Sequence, residues 1–142
     1  MSAGNTFEND LLKLIFQATA IANIADNAAS APLTNLYISL HTADPGEAGD
    51  QTTNETSYTS YARVAVARSG SGWTVTANSV SPAATIAFPA CTGSTATITH
   101  FAVGTASSGA GKLLISGTVT PNISVSTGVT PQLTTATALT ID

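Results

Sequence analysis

At Leu36 the apolar residues of this chain stop recurring at helical spacing and begin to alternate, and that change of period limits what the chain can fold into. In LYISLH, residues 36–41, Leu36, Ile38 and Leu40 share one face while Tyr37, Ser39 and His41 share the other, as in a half-buried strand. Further strands are expected over Tyr61–Arg68, Trp73–Ala77, Ala84–Phe88, Thr95–Val103, Lys112–Val119, Ile123–Ser126 and Gln132–Ile141. The segments SGSG, PACTGS, SSGAGK and STGVTP separate them and carry turn chemistry. About eight short strands at this spacing predict a mainly β fold, an antiparallel β-sandwich of jelly-roll type.

One substantial helix is expected ahead of the first strand, from Asn5 to Asn27. Asn5 can cap its N-terminus, Glu8 stands three residues on as in a capping box, and Glu8 and Asp10 complement the positive end of the helix dipole. Leu11, Ile15, Ala18, Ala22 and Ala25 recur at helical spacing, with Leu14 and Ile21 widening the stripe. Residues 28–35, which include Pro32, read as a linker into the sandwich over 36–142. A length of 142 residues suits one domain with its own core, so residues 1–142 are expected to form a single domain.

Charge narrows the function classes. The formal charge is -4 and only 8% of residues are charged. A nucleic-acid binder needs clustered cations to displace counterions from phosphates, and Lys13, Arg63, Arg68 and Lys112 are scattered, so no nucleic-acid partner is expected. The best apolar run, LLKLIFQATAIANIA, is broken by Lys13, Gln17 and Asn23, and no membrane span is expected. The N-terminus lacks the pattern of a signal peptide, and the single Cys91 can form no internal disulfide; both fit assembly in a bacterial cytoplasm. With 24 threonines and 15 serines, the expected surface is hydroxyl-rich and nearly uncharged.

Most of the chemistry sits between His41 and Arg68, in HTADPGEAGDQTTNETSYTSYARVAVAR. His41 and His100 are the only bases near neutral pH, and each reads as a polar strand position. Cys91 in FPACTGS matches no nucleophile signature, and SSGAGK lacks the full phosphate-cradling spacing and reads as a hairpin loop. No enzyme is expected, and no cofactor. Asp44, Glu47 and Asp50 stand three apart in DPGEAGD without the alternation of a calcium loop, so they read as a solvated turn and no metal site is expected. Tyr58, Tyr61 and Arg63 are types enriched at interface hot spots, and they are candidates for a partner contact together with the three acids. Trp73 is assigned to the core. Leu11 and Ile15 on the helix either pack on the domain's own sheet or dock on a neighbour.

The segment LYISLHTADPGEAGDQTTNETSYTSYARVAVARSGSGW, then FPACTG and THFAVGTASSGAGKLLISG, resembles a family of small virion proteins of tailed bacteriophages. The size, the N-terminal helix and the β-rich body are most similar to the capsid cementing, or head decoration, protein of short-tailed Bordetella phages. That resemblance implies a jelly roll on the outside of an icosahedral shell, where a homodimer, the commonest closed oligomer, is expected to bridge major capsid protein subunits. The alternative it leaves is a tail or tail-fibre component that binds another virion protein or a host surface glycan. Under the first expectation Asp44, Glu47 and Asp50 meet basic groups on the shell while Tyr58, Tyr61 and Arg63 supply packed contacts.

Overall fold

The computed structural model describes residues 5–21 and 32–141. In chain order its elements are α1 (Asn5–Gln17), β1 (Asn35–His41), β2 (Val64–Ala67), β3 (Trp73–Thr76), β4 (Ser79–Pro82), β5 (Ile86–Ala87), β6 (Ala96–Gly104), β7 (Leu113–Val125), β8 (Gln132–Leu133) and β9 (Leu139–Thr140). The protein is mainly β, the pairs β1–β6, β6–β7, β3–β4, β4–β9 and β5–β8 are antiparallel, and a helix precedes the first strand, as expected. The strands lie in sheets of four, three and two, ordered β2-β1-β6-β7, β3-β4-β9 and β5-β8. A jelly roll would divide eight strands between two four-stranded sheets. No helix among the described residues is long and apolar enough to cross a membrane.

The chain forms two compact units. The first comprises Met1–Asn35, Val66–Thr85 and Thr134–Asp142. Here α1 lies on the sheet β3-β4-β9 and buries Leu12 and Phe16, with Phe16 meeting Trp73 edge to face at 4.7 Å between ring centroids. Trp73 is a core residue as expected, 2% exposed. The buried helix line is Glu8, Leu12 and Phe16, so the core face is one residue away from the expected stripe; Leu11 and Ile15 are only half-buried. Phe16, which shares the buried line with Glu8 and Leu12, removes a large apolar ring from water against Trp73, while Phe7, an equally large residue off that line, is 45% exposed.

The helix also stops earlier than its alanine-rich continuation predicts. Ala18 has left-handed backbone (φ 55°), and residues 18–20 are not helical. In a continuing helix the Leu14 and Ile15 carbonyls would accept the amides of Ala18 and Thr19. Instead the Arg68 guanidinium donates to both, Nη2 to Leu14 at 2.8 Å and Nε to Ile15 at 2.7 Å, while Nη1 reaches the Leu33 carbonyl at 2.7 Å. A cation at the negative end of the dipole caps the helix. The rest of the expected helix and the first half of the linker, together residues 22–31, lie outside the described residues.

The second unit comprises Leu36–Ala65 and Ile86–Leu133. β1 pairs with β6 from Tyr37↔Gly104 to His41↔His100, and β6 pairs in turn with β7. Leu36, Ile38, Leu40, Ile98, Phe101 and Val103 are among its buried core residues. β1 departs from the half-buried alternation: Ser39 and His41, on its polar face, are both 0% exposed. The chain after β1 folds back over that face, and the Thr56 amide bonds to the Leu40 carbonyl at 2.9 Å. The strands expected at 112–119 and 123–126 are one strand. Four residues of β7, Val119–Asn122, stand opposite the single Thr99 of β6, a bulge that accommodates Pro121 within the strand. β4 (Ser79–Pro82) was not among the expected strands; it lies between β3 and β9 in the three-stranded sheet. The expected strand at 132–141 is split into β8 and β9 by a turn closed from Thr137 N–H to Thr134 O.

Candidate contact site

The polar stretch after β1 is a loop built from its own side chains. Asp44 Oδ1 accepts the Gly46 amide at 2.9 Å, and Asp50 Oδ1 accepts the amide and hydroxyl of Thr52 at 2.8 and 2.6 Å. The Thr52 bonds hold the Asp50 carboxyl below the usual carboxylate range. Asn54 Nδ2 donates to the Asp44 carbonyl at 2.8 Å and ties the two turns together. Asp44 and Glu47 are exposed and Asp50 is half-buried. Among the described residues no group of three His, Cys, Asp or Glu could hold a metal ion.

His41 anchors this loop from below. Its Nδ1 lies 2.8 Å from the Thr53 carbonyl, so that nitrogen carries the proton, and Nε2 then accepts the Ser39 hydroxyl at 2.9 Å. Both ring nitrogens are therefore engaged. Burial pushes the imidazole below its ordinary value, with Glu55, Arg63 and His100 as the neighbouring titratable groups.

Tyr58, Tyr61 and Arg63 turn inward, where the sequence expectation had them facing a partner. Tyr58 is 3% exposed and its hydroxyl donates to the Pro89 carbonyl at 2.9 Å. Burial raises it to about 12. The Tyr61 ring lies edge-on to Tyr58 (5.3 Å) and stacks with Phe88 (6.4 Å). Its hydroxyl accepts the Leu40 amide at 3.0 Å and donates to Glu55 Oε1 at 2.8 Å, and burial raises its ionisation strongly.

Arg63 and Glu55 form a two-pronged ion pair, Nε to Oε1 and Nη2 to Oε2, each 2.7 Å. The Arg63 side chain is 2% exposed and that of Glu55 16%. The Glu55 bonds hold the guanidinium firmly in its charged form. Its remaining donors reach the carbonyls of Ala106 (Nη1, 2.9 Å) and Gly109 (Nη2, 2.8 Å). The cation thus fastens the loop between β6 and β7.

A second clamp on that loop is Gln51, a buried amide. Its Oε1 accepts the Ala106 amide at 2.9 Å, and its backbone amide donates to Ala110 at 2.8 Å. A Cβ at Gly104 or Gly111 would overlap the Gln51 side chain, so both positions need glycine. Sequence reading missed Gln51 and the Glu55–Arg63 pairing. The available signal was the pair of glycines bracketing VGTASSGAG, which marks a close approach of chain segments.

The outcome is two polar loops, residues 42–54 and 105–111, held from beneath by buried polar side chains. Between the 105–111 loop and Tyr61 lies an open depression of about 270 Å³, lined by Glu55, Tyr61, Ala62, Arg63, Ser107, Ser108 and Gly109. Its acid and its base neutralise each other, and Ser107, Ser108 and Gly109 are exposed around it. Leu11 and Ile15 belong to the first unit. A family model described as Podophage GP4 fiber I protein gp80 matches residues 2–142. No curated protein matches the chain.

Proposed function

Because the chain belongs to the podophage GP4 fiber I protein gp80 family and is a phage virion protein, we propose that it serves as a fibre component of a short-tailed virion. It binds another virion protein or a host surface glycan, and it does so without catalysis. The observation that carries this reading is the family match, which covers the chain from residue 2 to its end. The match supports a phage virion protein and favours a fibre over the outer capsid surface, so the cementing role and the major capsid protein as partner give way to the alternative.

The geometry of the second unit fits a contact module. Loops are where binding residues concentrate, provided that a rigid scaffold positions them. Gln51 and Arg63 supply that support, and the exposed tip residues Ser107, Ser108, Gly109 and Ala110 are small and uncharged. Such a tip allows close approach of a hydroxylated or backbone-rich surface at little side-chain entropy cost. Asp44, Glu47 and Asp50 present the negative charge of the neighbouring loop.

Immunogold labelling of intact virions with antibody to this protein tests the placement. Label at the tail is the expected result, and label spread over the head would restore the shell reading.

A further inference from the structure

The depression beside Tyr61 lies wholly within the second unit, walled by Glu55, Tyr61, Ala62 and Arg63 on one side and by Ser107, Ser108 and Gly109 on the other. Its electrostatics offer an ionic ligand no net counter-charge. Glu55 and Arg63 neutralise each other, and four guanidinium hydrogen bonds are already made, to Glu55, Ala106 and Gly109. Bonding capacity nevertheless remains. A carboxylate has about four acceptor sites, and Glu55, whose side chain is 16% exposed, accepts one bond from Tyr61 and two from Arg63. Ser107 and Ser108 are exposed, and their hydroxyls bond to no described residue.

We propose that this depression takes a single neutral sugar unit of a glycan. Its wall sets a charged acceptor, Glu55, beside two hydroxyls that both donate and accept, and neighbouring hydroxyls of a sugar ring present the same mixture in return. The bond from a ring hydroxyl to the carboxylate is of the stronger, charge-assisted kind. A volume of about 270 Å³ falls just below the range of pockets for drug-sized ligands, which suits one ring. A protein partner needs roughly 800 Å² of surface on each side, so its contact would lie mostly elsewhere. The wall is also set before a ligand arrives. Arg63 holds the Ala106 and Gly109 carbonyls and Gln51 Oε1 holds the Ala106 amide, so binding has little left to order. One ring in so open a site binds at roughly millimolar strength, and several copies acting together give the grip. This assignment rests on the glycan half of the fibre reading.

Titration of the purified full chain with the methyl glycosides of glucose, galactose and rhamnose, followed by amide chemical shifts, tests it, with glucuronic acid as the charged comparison. Saturable shifts centred on residues 55–63 and 105–111 are expected from at least one neutral glycoside and none from glucuronic acid. Ser107→Ala combined with Ser108→Ala is expected to weaken binding about tenfold, the loss of two hydrogen bonds. Ala62→Trp, at an exposed wall residue, is expected to abolish it by filling the space. No saturable shift with any of the three glycosides, glucuronic acid binding as tightly as they do, or binding that either variant leaves intact overturns the proposal. Failure to bind sugar together with immunogold label at the tail removes this site alone; sugar binding together with label over the head removes the fibre placement and leaves the site.

Discussion

Arg63 directs four hydrogen bonds inward, two to one carboxylate and two to loop carbonyls, with almost none of its side chain in water. Removing one partner of a buried pair strands the other, which typically costs about 3–5 kcal/mol. Arg63→Ala is therefore expected to lower stability by about 3 kcal/mol in urea unfolding and to release the amides of residues 105–111 to faster hydrogen exchange. A loss below about 1 kcal/mol would class the pair with exposed ones. His41 makes a separate prediction. Its folded-state ionisation is depressed from 6.5, so the unfolded chain takes up the proton first. The stability this neutral imidazole contributes is complete above about pH 6.5 and is lost as pH falls below it. The melting temperature of the wild type should fall between about pH 6.5 and 5, and His41→Gln should flatten that slope; parallel profiles would place the proton elsewhere.

Elements in this protein end where a distant residue intervenes. Helix α1 stops because Arg68 takes the carbonyls of Leu14 and Ile15. Arg68→Ala is expected to cost about 2 kcal/mol and to speed exchange of the last-turn amides of α1, with β6 unaffected. Equal acceleration in both elements would argue against a cap. Sequence alone could read the start of α1 and the alternating strands β1 and β6, because their patterns are local. It could not read the helix end, because nothing near Gln17 signals an arginine fifty positions on. It missed β4 because serine and proline conceal a strand that neighbouring β3 and β9 stabilise, and it divided β7 because a proline at a bulge looks like a strand end. The polar stretch after His41 was legible as the place where chemistry concentrates. Its inward orientation was not, since only the folded chain brings Glu55, Tyr61 and Arg63 together over β1.

As a whole, the molecule is a member of a family of phage virion proteins, and within its two units antiparallel strands carry turns and clamped loops. A fibre component occurs at the few positions where fibres attach, while a shell cement occurs throughout the capsid, so stoichiometry separates them without reference to mechanism. Binding should be sensitive to Gln51→Ala, which unfastens the 105–111 loop; adsorption equal to wild type by virions carrying that variant would remove that loop from the contact. The most direct test of the central claim is quantitative mass spectrometry of this protein against the major capsid protein in complete virions and in purified tail-less heads. The account predicts a small number of copies in virions and none in heads, whereas a ratio near one in tail-less heads would contradict it.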